Sequence, residues 1–215
     1  MDRAVGIPIV KEGLPFVLGA GVPAAVAASF GWTGPALVLG VVALFTAWFF
    51  RNPKRVAPCS IHAIVAPGDG KVIAVTEEYE PRFLKDQGIR ISIFLNIFNV
   101  HVNRIPCQGT VEDVAYQPGT FVPADRPDAT LRNEQNALMI RTTQGAKVLC
   151  VQVAGLIARR IVCWVSPGDR VACGERYGLI RFGSRMDMFL PAGTKVRVGV
   201  GMHVKGGETV LAELG

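Results

Sequence analysis

Histidine, charge and paired cysteine are all scarce in this 215-residue chain, and each shortage excludes a class of chemistry. The three histidines, His62, His101 and His203, include no pair with metal-ligand spacing. The five cysteines, Cys59, Cys107, Cys150, Cys163 and Cys173, are odd in number and contain no C-x-x-C. A disulfide scaffold and a cysteine-rich metal site are therefore disfavoured, and small buried side chains in a reducing compartment are expected. There is no G-x-S-x-G elbow, no complete G-x-G-x-x-G and no Walker motif. Tyr79, Tyr116 and Tyr177 are scattered, with no Lys/Arg stripe interleaved with aromatics, so nucleic acid is not an expected partner.

What is present is apolar. Half of the residues are hydrophobic, 19% are charged, and the mean hydropathy is +0.33. That is too apolar for disorder and high for an ordinary soluble chain, which points to membrane contact. Residues 14–50 contain no charged side chain, and Gly31-Trp32-Thr33-Gly34-Pro35 interrupts them with a turn signal. Two short apolar helices are predicted within an N-terminal membrane anchor, residues 1–57. The second, residues 35–50, reaches ~24 Å as a helix against ~30 Å of hydrocarbon. A spanning hairpin and one lying within a single leaflet both remain open. Arg3 and Lys11 precede the apolar stretch and Arg51, Lys54 and Arg55 follow it, so the positive-inside rule puts both ends in the cytoplasm. A cleaved signal peptide ending near Ala25-Val26-Ala27 is the competing reading, and it leaves the second apolar run unexplained.

Lys and Arg outnumber Asp and Glu by 23 to 17, and the four charges of residues 1–50 cancel. The whole excess therefore lies beyond the anchor and suits an anionic lipid surface. The remaining ~160 residues are enough for one domain, residues 58–215. Short β-branched runs at 71–75, 89–94, 147–153, 160–164, 195–200 and 209–212 are separated by Gly and Pro. They predict a mainly β domain, a sandwich or barrel-like hybrid with few helices, the best helix candidate being residues 76–88.

His101 follows the apolar run 91–100 and precedes the polar cluster Val102-Asn103-Arg104-Ile105-Pro106, at a strand end of the kind that presents function. From the residues alone it could equally be a packed structural histidine. Asp69, within Gly68-Asp69-Gly70, could be a turn residue and no more.

The segment Phe98-Asn99-Val100-His101-Val102-Asn103-Arg104-Ile105-Pro106 resembles a motif of the phosphatidylserine decarboxylase family, and further landmarks follow in order. Phe49-Phe50-Arg51-Asn52-Pro53 resembles the post-membrane signature, Ala66-Pro67-Gly68-Asp69-Gly70 the aspartate loop, and Asn133-Glu134-Gln135-Asn136 the central N-E-R-N-like segment. Gly155 with Ala158-Arg159-Arg160-Ile161, and Phe182-Gly183-Ser184-Arg185, resemble the G-x-x-A-R-R-I and processing sites. The G-S-R triplet and short length are similar to the small bacterial and archaeal branch. Longer members have a second histidine where this chain has Arg104, and G-S-T in place of G-S-R.

The resemblance implies an inner-membrane enzyme, its catalytic domain cytoplasmic, that converts phosphatidylserine to phosphatidylethanolamine and CO2. It implies that Ser184 attacks the Gly183 carbonyl, that the chain divides into residues 1–183 and 184–215, and that Ser184 becomes a pyruvoyl cofactor forming a Schiff base with the lipid amine. His101 would be the base and Asp69 the carboxylate orienting it, as in other nucleophile triads. No metal is implied. The two pieces would stay together, and a homodimer or larger assembly is expected. A different class of protein, a membrane-anchored biotinyl/lipoyl-like adaptor, shares the short strands, the repeated P-G-D turns and a Met186-Asp187-Met188 hairpin-like triplet. Its carrier form needs a lysine where Asp187 stands.

Overall fold

The computed structural model describes residues 8–58, 60–120, 122–123, 132–155, 160–181 and 183–215. Arg3, Cys59, Ala158, Arg159 and Phe182, all used in the sequence argument, lie outside them. The chain divides into two compact units, one ending at Lys54 and one beginning at Arg55.

In the first unit, a 3-10 turn at Lys11–Gly13 leads into α1 (Leu14–Ser29), and α2 (Thr33–Phe49) follows. Pro15 and Pro35 both lie in a first helical turn, where the missing N–H has no intrahelical partner to lose. Gly31 at φ +73° lets the chain reverse between the helices. Large apolar side chains point outward from both helices, among them Leu18, Val22, Leu37, Val41 and Leu44, the pattern of helices solvated by lipid. Lys11–Ser29, at 19 residues and a mean hydropathy of 1.3, is long and apolar enough to cross a membrane; Thr33–Phe49 is shorter.

The second unit is mainly β, as predicted. Its strands are β1 (Ala63–Val65), β2 (Gly70–Glu80), β3 (Asp86–Leu95), β4 (Val102–Arg104), β5 (Gly109–Gln117), β6 (Gln135–Thr142) and β7 (Lys147–Ala154). They continue with β8 (Ile161–Cys163), β9 (Arg170–Val171), β10 (Arg176–Ile180), β11 (Ser184–Pro191), β12 (Lys195–Val196), β13 (His203–Val204) and β14 (Val210–Glu213). The largest sheet runs β13-β2-β3-β11-β7-β6-β5-β9, and two three-stranded sheets run β1-β14-β12 and β4-β10-β8.

The helix expected at residues 76–88 is instead the meeting of β2 and β3. Thr76 pairs with Arg90 and Glu80 with Asp86 across an antiparallel ladder. Pro81 opens the turn between them, and the Glu80 carboxylate accepts the backbone N–H groups of Arg82, Phe83 and Leu84. Cross-strand pairing and a capped turn outweigh helix propensity here.

The central strands are buried on both faces. On β7 and β11, Val148, Cys150, Ala154, Met186 and Met188 enter one core, while Leu149, Val151, Val153 and Phe189 enter a second on the opposite face. β7 accordingly reads as a nearly continuous apolar run without alternation. Each fully buried Ile or Leu contributes roughly 1.5–3 kcal/mol. At one end the first face turns polar: Asn136, Gln152 and Ser184 share it with Leu138, Cys150 and Met186.

Candidate active site

β11 begins at Ser184, which the ladder places between Leu95 of β3 and Ala154 of β7. The serine is fully buried and its Oγ has no hydrogen-bond partner. A hydroxyl shut away from water without a partner costs roughly 1–3 kcal/mol, a cost associated with sites of chemistry. Gly183 before it has φ +70°, a conformation that L side chains avoid, while the space around its missing Cβ is open. Backbone conformation, not lack of room, calls for glycine there.

His101 precedes β4 and is buried. Its Nδ1 lies 3.0 Å from the Asn99 carbonyl oxygen. A carbonyl only accepts, so Nδ1 carries the proton and Nε2 of the neutral ring holds a lone pair. That lone pair accepts the N–H of Gly183 at 3.3 Å. Sequence separation of 82 residues is closed at this contact. His62 and His203 are exposed elsewhere, His62 beside Gln144 and His203 on β13 opposite Lys71.

Asp69 has other partners than His101. Its Oδ2 accepts Arg55 at 2.8 Å and its Oδ1 accepts the Gly206 N–H at 2.8 Å. Arg55 also reaches Glu208 at 3.1 Å. The orientation of His101 that the triad analogy gives to a carboxylate is supplied, at Nδ1, by the Asn99 carbonyl. Arg104 donates its backbone N–H to Pro67 O and its Nη1 to Gly174 O, at 2.8 and 2.9 Å. Burial first, then Arg55 and Arg176, bring its pKa down to about 10, against the pull of Asp69 and Glu208. It remains a cation at neutral pH, and its backbone N–H ties the Asp69 loop to β4.

Sequence reasoning passed over a chain of buried amides. Asn136 Nδ2 donates to Gln152 Oε1 at 3.0 Å, and Gln152 Nε2 donates to Asn103 Oδ1 at 2.7 Å. Asn133 Nδ2 donates to the carbonyl of Ala154, the ladder neighbour of Ser184, at 2.7 Å. Gln152 was visible as one polar residue inside an apolar strand run, a signal that went unused. Beside it, Cys150 Sγ lies 3.3 Å from Tyr177 Oη, and burial pushes that thiol up to about 12.

Met186-Asp187-Met188 lies inside β11, paired on both sides, with Asp187 buried against Arg185 at 3.0 Å. A carrier's exposed hairpin tip is absent at this triplet.

A family model described as phosphatidylserine decarboxylase matches residues 42–212. The chain is 52% identical over 206 residues to the phosphatidylserine decarboxylase proenzyme of Nitrosomonas eutropha, covering 95% of this chain and 94% of that one. It is 47% identical to the proenzyme of the same name from Syntrophus aciditrophicus, covering 94% and 96%. With that of Geobacter sulfurreducens it shares 48% identity, covering 99% of both.

Proposed function

The chain belongs to the phosphatidylserine decarboxylase family, and we propose that it works through a pyruvoyl group made from its own Ser184. It is a lyase of phospholipid biosynthesis that converts phosphatidylserine to phosphatidylethanolamine and CO2. The observation that carries the pyruvoyl reading is the buried, unpartnered Ser184 hydroxyl next to a glycine whose N–H donates to Nε2 of His101. The name proenzyme, borne by the relatives, is in keeping with a precursor that processes itself.

The residues fit the group. A ketone at position 184 would sit at the start of β11 between Leu95 and Ala154, in a volume closed to water. When formed, it supplies an electrophilic carbonyl that takes the lipid's amine and accepts the electrons released as CO2 departs. His101 is positioned to take the Ser184 proton during scission, its tautomer set by Asn99. Asp69, held by Arg55 and by the Gly206 N–H, fixes the loop of residues 66–70, which Pro67 joins to β4 through the Arg104 N–H, and so acts on the site through position.

Scission at Gly183-Ser184 would leave β11 in the small fragment. Because β11 is hydrogen-bonded on both sides and contributes Met186 and Met188 to the core, the two fragments should remain one folded body. A homodimer or larger assembly is proposed from the family alone. Membrane association follows from the apolar N-terminal helix. A helical hairpin with both basic flanks, Lys11 and Arg51 to Arg55, in the cytoplasm would put the catalytic unit on that side.

Intact mass of the purified protein tests the reading. Two chains, residues 1–183 and a ketone-bearing 184–215, are expected. Full activity in an uncut chain would refute it.

A further inference from the structure

The motif that contains His101 also contains Asn103, which the scission chemistry above does not use. Asn103 is fully buried. Its Oδ1 is held by Gln152, and Gln152 is held by Asn136. Its Nδ2 has no partner. A buried amide N–H left unsatisfied costs roughly 1–3 kcal/mol, so an acceptor that arrives later is implied.

Gly68 locates that N–H. A Cβ placed there would lie 3.1 Å from Leu95 Cδ2, 3.5 Å from Asn103 Nδ2 and 3.6 Å from Met186 Cγ. Leu95 is the ladder partner of Ser184, and Met186 lies two residues beyond it on the same face. The spare donor thus lies beside Gly68 among side chains of the sheet face that also carries the unpartnered Ser184 Oγ. One group has a proton to give, the other has lone pairs, and in the uncut chain neither is satisfied.

We infer that Asn103 Nδ2 donates to the Ser184 oxygen as it attacks Gly183, which makes Asn103 a catalytic residue of chain scission. This rests on the reading of Ser184 as the scission nucleophile. In the step, His101 Nε2 takes the Oγ proton and Oγ bonds to the Gly183 carbonyl carbon, whose π pair moves to its oxygen. That pair re-forms the carbonyl as the bond to the residue-184 nitrogen breaks. The proton on His101 passes to that nitrogen, leaving an ester and an amine. The Asn103 N–H stabilises Oγ while it carries negative charge and is not consumed. The amide chain through Gln152 and Asn136 keeps the donor turned toward the serine.

The experiment follows scission of the newly synthesised full-length chain by intact mass over time. Asn103→Asp keeps the shape and the acceptor for Gln152 but removes the amide donor; Asn103→Leu removes both. Each should slow scission by about 10–10²-fold, the usual cost of one lost hydrogen bond to a group carrying charge. Gln152→Glu, which frees the amide to turn over, should slow it at least about tenfold without touching the serine. A thiolate is a weak acceptor. In a Ser184→Cys chain, therefore, Asn103→Leu should cost less than about tenfold, whereas simple loss of packing would slow both chains alike. Equal slowing in the two backgrounds overturns the inference. So does Asn103→Asp cleaving within about threefold of the unaltered chain while Ser184→Ala stays whole, a result that leaves the nucleophile intact. Normal scission with slow lipid turnover per cut chain would also overturn it, assigning the donor to the substrate. An unaltered chain that never cleaves would instead remove the Ser184 reading itself.

Discussion

The N–H of Gly183 donates to Nε2 of His101 at 3.3 Å, so the imidazole lone pair already faces the peptide that joins Gly183 to Ser184. Nδ1 cannot turn away without losing the Asn99 carbonyl. His101→Ala should leave most of the protein uncut. His101→Gln, which retains an acceptor but no usable base, should be equally slow. Electrophoresis of the purified variants decides it, and normal processing with normal turnover in either variant would remove His101 from the mechanism.

Ser184→Ala should remain a single chain, with no carbonyl and no activity. The unaltered protein should yield the 32 residues 184–215, about 3.4 kDa as that share of 23.1 kDa. Its first residue should resist Edman degradation and should react with phenylhydrazine. A free amine at residue 184 would refute the pyruvoyl chemistry.

Arg55 and Asp69 are both largely buried, and their ion pair joins residues 14 apart in sequence. Removing one partner strands the other. Arg55→Ala and Asp69→Asn should each lower stability by about 1–3 kcal/mol and slow scission. A double-mutant cycle should give strongly non-additive losses, whereas additive losses would mean the pair does not act together.

Deleting residues 1–50 removes α1 and α2 and should release the protein from membranes into detergent-free buffer. In the full-length protein, activity on anionic vesicles should fall as salt shortens the Debye length to ~8 Å and below, since the excess of Lys and Arg lies beyond residue 50. Salt-insensitive turnover would remove charge steering.

Burial holds the Cys150 thiol protonated to about pH 12, and Tyr177 is also raised well above its ordinary value of 10.0, both by desolvation first. The unfolded thiol loses its proton near 9.0. Above that pH the native state binds more protons than the unfolded one, so stability is fully present below about pH 9 and falls as pH rises toward 12. The slope is about 1.4 kcal/mol per pH step for one such group. Urea midpoints of the unaltered protein and of Cys150→Ala between pH 8 and 11 check this; the variant should lose less.

Much of the outline was legible locally. The uncharged stretch of residues 14–50, its central turn and its basic flanks are properties of neighbouring residues, and the structure breaks the two helices at Phe30 to Trp32, beside the Gly31 signal. Short β-branched runs marked β2, β3, β7, β8 and β14, because period and turn chemistry act over a few residues. β6, buried on both faces, carries no clean alternation and was missed. Residues 76–88 failed as a helix because the deciding interaction, the ladder to β3, is not local.

The sequence by itself determined which residue types were available: a histidine in a polar strand end, one Gly-Ser pair and an aspartate in the first of two P-G-D turns. Only the tertiary structure decided their partners. It set His101 against Gly183 across 82 residues, gave Asp69 to Arg55, and ran the amides of Asn136 and Gln152 to Asn103. Hydrogen bonds and ion pairs of this kind are fixed by strand register and by burial. A buried polar atom must take whatever partner the packed chain brings within reach, and no local pattern specifies which one that will be.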